Sequence, residues 1–174
     1  MARSSYFKKA TIISIIASLI IEVFIVLALL HGLNAIFTLT GISGGILLLV
    51  LAFIAYYYYI NGVKHSRRAM TYIAPLGIAI GVSALLLIIG SSNPIAYVFK
   101  LLFTAYLFEL FVGWFLRIDY GYYSKQASWI FFSGILIFTI SLALLNYTTT
   151  ALYLSLAGNT IKIISLTELL KRIS

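Results

Sequence analysis

Between Lys9 and Lys64 the chain carries one charged side chain, Glu22; between Arg68 and Lys100, and again between Lys125 and Lys162, it carries none. Apolar runs of eighteen or more residues, recurring from end to end, are long enough to cross a bilayer core as helices. Composition closes the alternative: of the 174 residues, 63% are hydrophobic and 9% charged, against roughly 45–50% and 25% in a soluble domain. The sequence therefore reads as an all-α integral membrane protein, a single transmembrane helical domain over residues 1–174.

Six segments, at about residues 10–33, 36–62, 68–90, 94–117, 126–146 and 150–170, each reach across a core of ~30 Å at a rise of ~1.5 Å per residue. The first follows Arg3, Lys8 and Lys9. It is too long for a signal-peptide apolar region of roughly 7–15 residues and lacks a small-residue cleavage site, so it reads as a retained signal anchor. The last is interrupted by Gly158, Asn159, Thr160 and Lys162, with Glu168 near its end. The alternative to a bundle of six transmembrane helices is thus five plus an amphipathic C-terminal helix on the surface.

Charge placement favours six. Arg3, Lys8 and Lys9, then Lys64, Arg67 and Arg68, then Arg117 and Lys125, then Lys171 and Arg172 all fall on one side, while the connections near His31, Ser91 and Tyr147 have no charge. This is the positive-inside pattern, with both termini cytoplasmic in a plasma membrane; five spans would put Lys162, Lys171 and Arg172 outside. The net charge of +8 is accounted for by orientation in the lipid bilayer, and no nucleic-acid partner is expected.

Ser92-Asn93-Pro94 offers an N-cap followed by proline at the first helical position, so the fourth segment is expected to start there. Tyr56 to Tyr59, Trp114, Tyr120, Tyr122, Tyr123 and Trp129 are expected to form an interfacial aromatic belt. Pro75 is expected to bend the third segment. Gly41-x-x-x-Gly45 and Gly77-x-x-x-Gly81 provide small faces on the second and third segments, expected to meet and let the backbones approach.

Four charges fall inside the apolar segments: Glu22, Lys100, Glu109 and Lys162. Left facing lipid, each costs roughly 2.5–3.5 kcal/mol, so they are expected to face the bundle or one another. Ser14, Ser18 and Glu22 share one helical face, as do Ser155, Asn159 and Lys162. Depth puts either acid within reach of Lys162, Glu109 first, while Lys100 lies on the opposite side of its helix, nearer the outer surface. Two readings of the set stay open: a polar network that fixes helix register, or a functional one, an ion or proton path or a polar substrate pocket. Gly158-Asn159 hints at the broken helix a transporter uses.

Absent Cys excludes disulfides, thiolate metal sites and a catalytic thiol. His31 and His65 fall on opposite sides of the membrane, no nucleophile–base or P-loop pattern occurs, and neither enzyme activity, a metal nor a cofactor is expected. Asn146-Tyr147-Thr148 is a sequon on the outer side. The abundant Ile and Tyr, with Phe108-Glu109-Leu110, Gly121-Tyr122-Tyr123-Ser124 and Leu156-Ala157-Gly158-Asn159, resemble small multi-pass membrane proteins of thermoacidophilic archaea. That resemblance implies an archaeal plasma membrane and brings no functional residue. The expectation is a non-enzymatic accessory or structural subunit among other membrane-protein subunits, or a homo-oligomeric bundle; the alternative is a small proton- or ion-coupled transporter or channel.

Overall fold

In a bilayer every backbone N–H needs a partner within its own segment, which leaves helix as the conformation for long apolar runs. The computed structural model describes residues 2–90, 95–145 and 147–173, and it is helical nearly throughout. The expected cap at Ser92-Asn93-Pro94 and Asn146 of the sequon lie outside the described residues.

Helix α1 (Ala2–His31) ends at Gly32, whose φ of 81° gives the left-handed turn that side chains resist. A 3-10 turn over Leu33–Phe37 leads to Thr38, whose hydroxyl accepts from the Gly41 N–H and starts α2 (Leu39–Gly62). The segment after it is broken in two, α3 (Arg67–Tyr72) and α4 (Ala74–Gly90). The break at Ile73 is the work of Pro75, which has no N–H for the turn before it. The Ile73 carbonyl accepts from Leu76 and Gly77 instead, at 3.1 and 3.4 Å. Then come α5 (Ile95–Gly121), α6 (Lys125–Leu144), capped by the Ser124 hydroxyl, and α7 (Ala151–Arg172).

Among the described residues five helices are long and apolar enough to cross a membrane: Arg3–His31, Leu39–Gly62, Arg67–Gly90, Tyr97–Gly121 and Lys125–Leu144. Helix α7 has the length, but Asn159, Lys162 and Glu168 lower its hydropathy and it is not among them. It is nonetheless continuous, so Gly158-Asn159 marks no break.

Consecutive long helices are neighbours, and the last returns to the first: α1 on α2, α2 on α4, α4 on α5, α5 on α6, α6 on α7 and α7 on α1. The six form a closed ring, loosest between α2 and α4. Two clusters of buried side chains hold it. One contains Phe7, Tyr59, Met70, Leu116, Tyr120 and Leu169; Phe7, from the start of α1, and Ile173, just past α7, both belong to it. The other gathers Ile25, Phe99, Phe138, Leu142 and Leu152. Outside the ring, Val23, Phe53, Leu86, Phe111, Ile140 and Ile164 are exposed, a surface suited to lipid and costly in water.

Backbones touch where α6 crosses α7, as they do where Gly62 of α2 meets Phe7 of α1. A Cβ on Gly134 would lie 2.7 Å from the Lys162 nitrogen and one on Gly158 2.6 Å from the Phe138 nitrogen, so the two backbones touch where side chains are missing. The expected meeting of the two Gly-x-x-x-Gly faces occurs only in part. A Cβ at Gly45 would meet Leu85 and one at Gly81 would meet Leu49, so each receives a leucine from the opposite helix. Gly41 faces the Ile36 carbonyl of the preceding turn, and Gly77 faces Ala105 and Phe108 of α5.

Candidate functional site

Inside the ring lies a cavity of about 330 Å³, walled mostly by apolar residues, among them Ala52, Gly81 and Ala105; Ser18, Glu109 and Lys162 also line it. Lys162 leaves α7 where that helix touches Gly134 of α6, and its ammonium reaches past α6 to donate to Oε1 of Glu109 on α5. The Lys162 side chain is 9% exposed and that of Glu109 36%. The carboxylate is therefore the more open half of the pair. Among the described residues Lys162 alone donates to it, and only to Oε1.

Glu22, the deepest acid from the sequence, pairs elsewhere. Its two oxygens accept from the Asn159 amide and the Thr160 hydroxyl on α7, and the same amide donates to the Ser18 carbonyl at 2.8 Å. Lys162 thus takes Glu109, the first of the two acids within its reach, while Glu22 is satisfied by neutral donors. Ser18 Oγ and Asn159 Oδ1 are buried with no protein partner among the described residues.

Lys100 does not belong to this set. It is exposed, with its ammonium 5.9 Å from the centroid of the Tyr97 ring. Its place one helical face away from Glu109 carries it to the outside of the ring, where a long stem reaches toward the boundary. The balanced quartet expected from the sequence is in fact two acids and one base.

The ring end that holds Phe7 and Ile173 carries chemistry that the sequence reading missed. Asp119 is 6% exposed, and its Oδ1 accepts from the backbone N–H of Lys64 at 2.9 Å and of His65 at 3.0 Å. Its Oδ2 accepts from the Ser66 N–H at 2.8 Å and hydroxyl at 2.6 Å. A carboxylate at the end of α5 thereby ties down the turn between α2 and α3. His65 stacks on Tyr122 and shares a 2.9 Å hydrogen bond with its hydroxyl.

The aromatic residues expected in a belt divide into two sets. Tyr57, Trp114, Tyr122 and Trp129 are exposed, and the Arg117 guanidinium lies over the rings of both tryptophans, at 4.3 and 3.8 Å. Tyr59 and Tyr120 are instead inside the ring. Their hydroxyls share a 2.6 Å hydrogen bond, and they reach Ser14 and Thr11 of α1 at 3.0 and 3.1 Å. A phenol can be buried this far only because its hydroxyl finds partners. Those partners come from α1, remote in sequence, which is why a run of four tyrosines reads as a boundary feature.

Among the described residues no three His, Asp or Glu converge as a metal site. Set against protein-family models, curated proteins and solved structures, the chain matches none of them. The class defined by fold and interior is an all-helical protein with several helices suited to a membrane and a charged pair facing an apolar chamber.

Proposed function

We propose that the chain is a non-enzymatic, six-span protein of the plasma membrane that serves as an accessory or structural subunit of a membrane complex, or as a homo-oligomeric bundle. The observation that carries this reading is that each interior ionised group is held by a partner on another helix: Glu109 by Lys162, Glu22 by Asn159 and Thr160. Groups matched in this way set the register of α1, α5 and α7, the best-attested use of buried charge.

Six spans are supported by what α7 presents. It lies along α6, with Ser155 bonded to Ser141 near one end and Gly158 against Gly134 further along. Its polar side, with Ser155, Asn159, Lys162 and Ser165, is buried, while Leu154, Ala157 and Ile164 face out. A helix lying on a membrane surface offers water the opposite face. All Lys and Arg other than Lys100 and Lys162 adjoin the cluster of Phe7 and Ile173 in sequence or in space, an asymmetry that supports, by the positive-inside rule, the reading that both termini are cytoplasmic. Extraction from the native membrane in mild detergent is expected to yield a discrete oligomer or associated subunits. A clean monomer with no companion removes the reading.

A second reading, a small ion-coupled carrier, is favoured by one observation: Glu109 and Lys162 line the central cavity. Liposomes containing a pH-sensitive dye test it. Flux that depends on the protein and falls in Glu109→Gln or Glu22→Gln supports a carrier; flux equal to wild type in both removes it.

A further inference from the structure

We propose that the central cavity binds one single-chain amphiphile with a neutral, hydrogen-bonding head group, in chemical class a long-chain alcohol, with its hydroxyl at Glu109 and its chain among α2, α4 and α5. The inference goes beyond the subunit and carrier readings and asks only that the bundle sit in a bilayer.

Volume comes first. At about 330 Å³ the chamber falls within the ~300–1,000 Å³ range of small-molecule sites. Its walls are mostly hydrocarbon, which suits an alkyl chain, with the Glu109–Lys162 pair as a polar spot. Ala52 and Ala105 face the space with one methyl group each. Gly45 and Gly81 line it too, but the room over them is taken by Leu85 and Leu49 of the opposite helix. The short alanine side chains leave a slot for a chain.

The polar groups say what the head must be. Glu109 has an oxygen to which no described residue donates, and the carboxylate is the open half of its pair. Lys162 uses one of its N–H groups on Glu109. A head that donates to the carboxylate and accepts from the ammonium suits both. Charge then selects among heads. On the cavity wall Glu109 and Lys162 cancel, and Glu22 does not line it, so an amine head adds a positive charge to a neutral wall of low dielectric, and a carboxylate head adds a negative one beside the open oxygen of Glu109. A hydroxyl leaves the balance intact.

The test uses the full chain in phosphatidylcholine vesicles with a diazirine-bearing dodecanol, irradiated and mapped by peptide mass spectrometry. Adducts are expected on inward residues such as Ala52 and Ala105. Unlabelled dodecanol should compete about fivefold more strongly than dodecylamine or dodecanoic acid, because either of those brings a charge to the neutral wall. Ala52→Phe, which fills the slot without touching the ion pair, should suppress the inward adducts, and Phe53→Ala, on the lipid face, should leave them. Equal competition by all three head groups, stronger competition by the amine or the acid, adducts confined to outward residues such as Phe53 and Leu86, or labelling indifferent to Ala52→Phe would each overturn the proposal.

Discussion

A carboxylate whose oxygens are all taken by backbone and hydroxyl donors tolerates little change, and Asp119 is such a group. In Asp119→Asn one oxygen becomes an N–H₂ aimed at the donors it used to accept from, so two donors lose their acceptor. The expected loss is about 2–3 kcal/mol, read as a lower thermal midpoint in detergent and faster tryptic cutting at Lys64. Ser66→Ala removes one hydroxyl and should cost about 1 kcal/mol. Asp119 is legible in sequence only as one of four acids beside a basic cluster, which suggests salt bridges; bonds from a side chain to distant backbone leave no pattern to read. The interior pair can be weighed the same way. Lys162→Met leaves Glu109 charged and unmatched at an expected cost of roughly 2–3 kcal/mol. Adding Glu109→Gln removes that charge, so the double variant should recover much of the loss in SDS-unfolding measurements. Additive losses would mean the two side chains act apart.

At the scale of whole helices, a joint where two backbones touch has no room for an added methyl group. Gly134→Ala or Gly158→Ala puts a methyl group within 3 Å of backbone atoms of the facing helix, which cannot rotate away. Each is expected to cost about 1–3 kcal/mol. Gly45→Ala meets only the end of Leu85 at 3.1 Å and Gly81→Ala the end of Leu49 at 3.3 Å, flexible atoms that can give, so both should stay within about 0.5 kcal/mol of wild type. Unfolding of the four variants in parallel checks the contrast. The glycines explain what a sequence can and cannot reveal here. Segment bounds are legible, because charge-free runs must be helices in lipid, and Pro75 marks its break within two residues. Pairing is not. A Gly-x-x-x-Gly pattern announces a small face without naming its neighbour, whereas Gly134 and Gly158 each stand without a second small residue four positions away and carry no pattern at all. The Glu109–Lys162 pair was legible because two opposite charges at similar depth have few other places to go. Glu22 was not, since its partners Asn159 and Thr160 are uncharged.

Closure of the ring is a property of the whole molecule, and it turns on α7. Without α7 the polar side of α1, with Ser18 and Glu22, would face lipid, and α6, half of whose spanning stretch is buried, would lose the neighbour on its other side. On the six-span reading proposed above the number of crossings is even, so the two ends are expected to emerge together. The absence of Cys makes this directly measurable, because any introduced thiol is the sole reactive site. In sealed right-side-out vesicles, Lys9→Cys, Arg67→Cys and Arg172→Cys should resist a membrane-impermeant maleimide until detergent is added, while Thr149→Cys, in the turn between α6 and α7, should react at once. All four positions are polar and lie outside the tight crossings, so the substitutions should leave the fold intact. Reaction of Arg172→Cys from outside, with Lys9→Cys still protected, would mean that α7 does not cross. It would then have to leave α6 and α1, exposing Lys162 and Asn159 and taking away the partners of both Glu109 and Glu22.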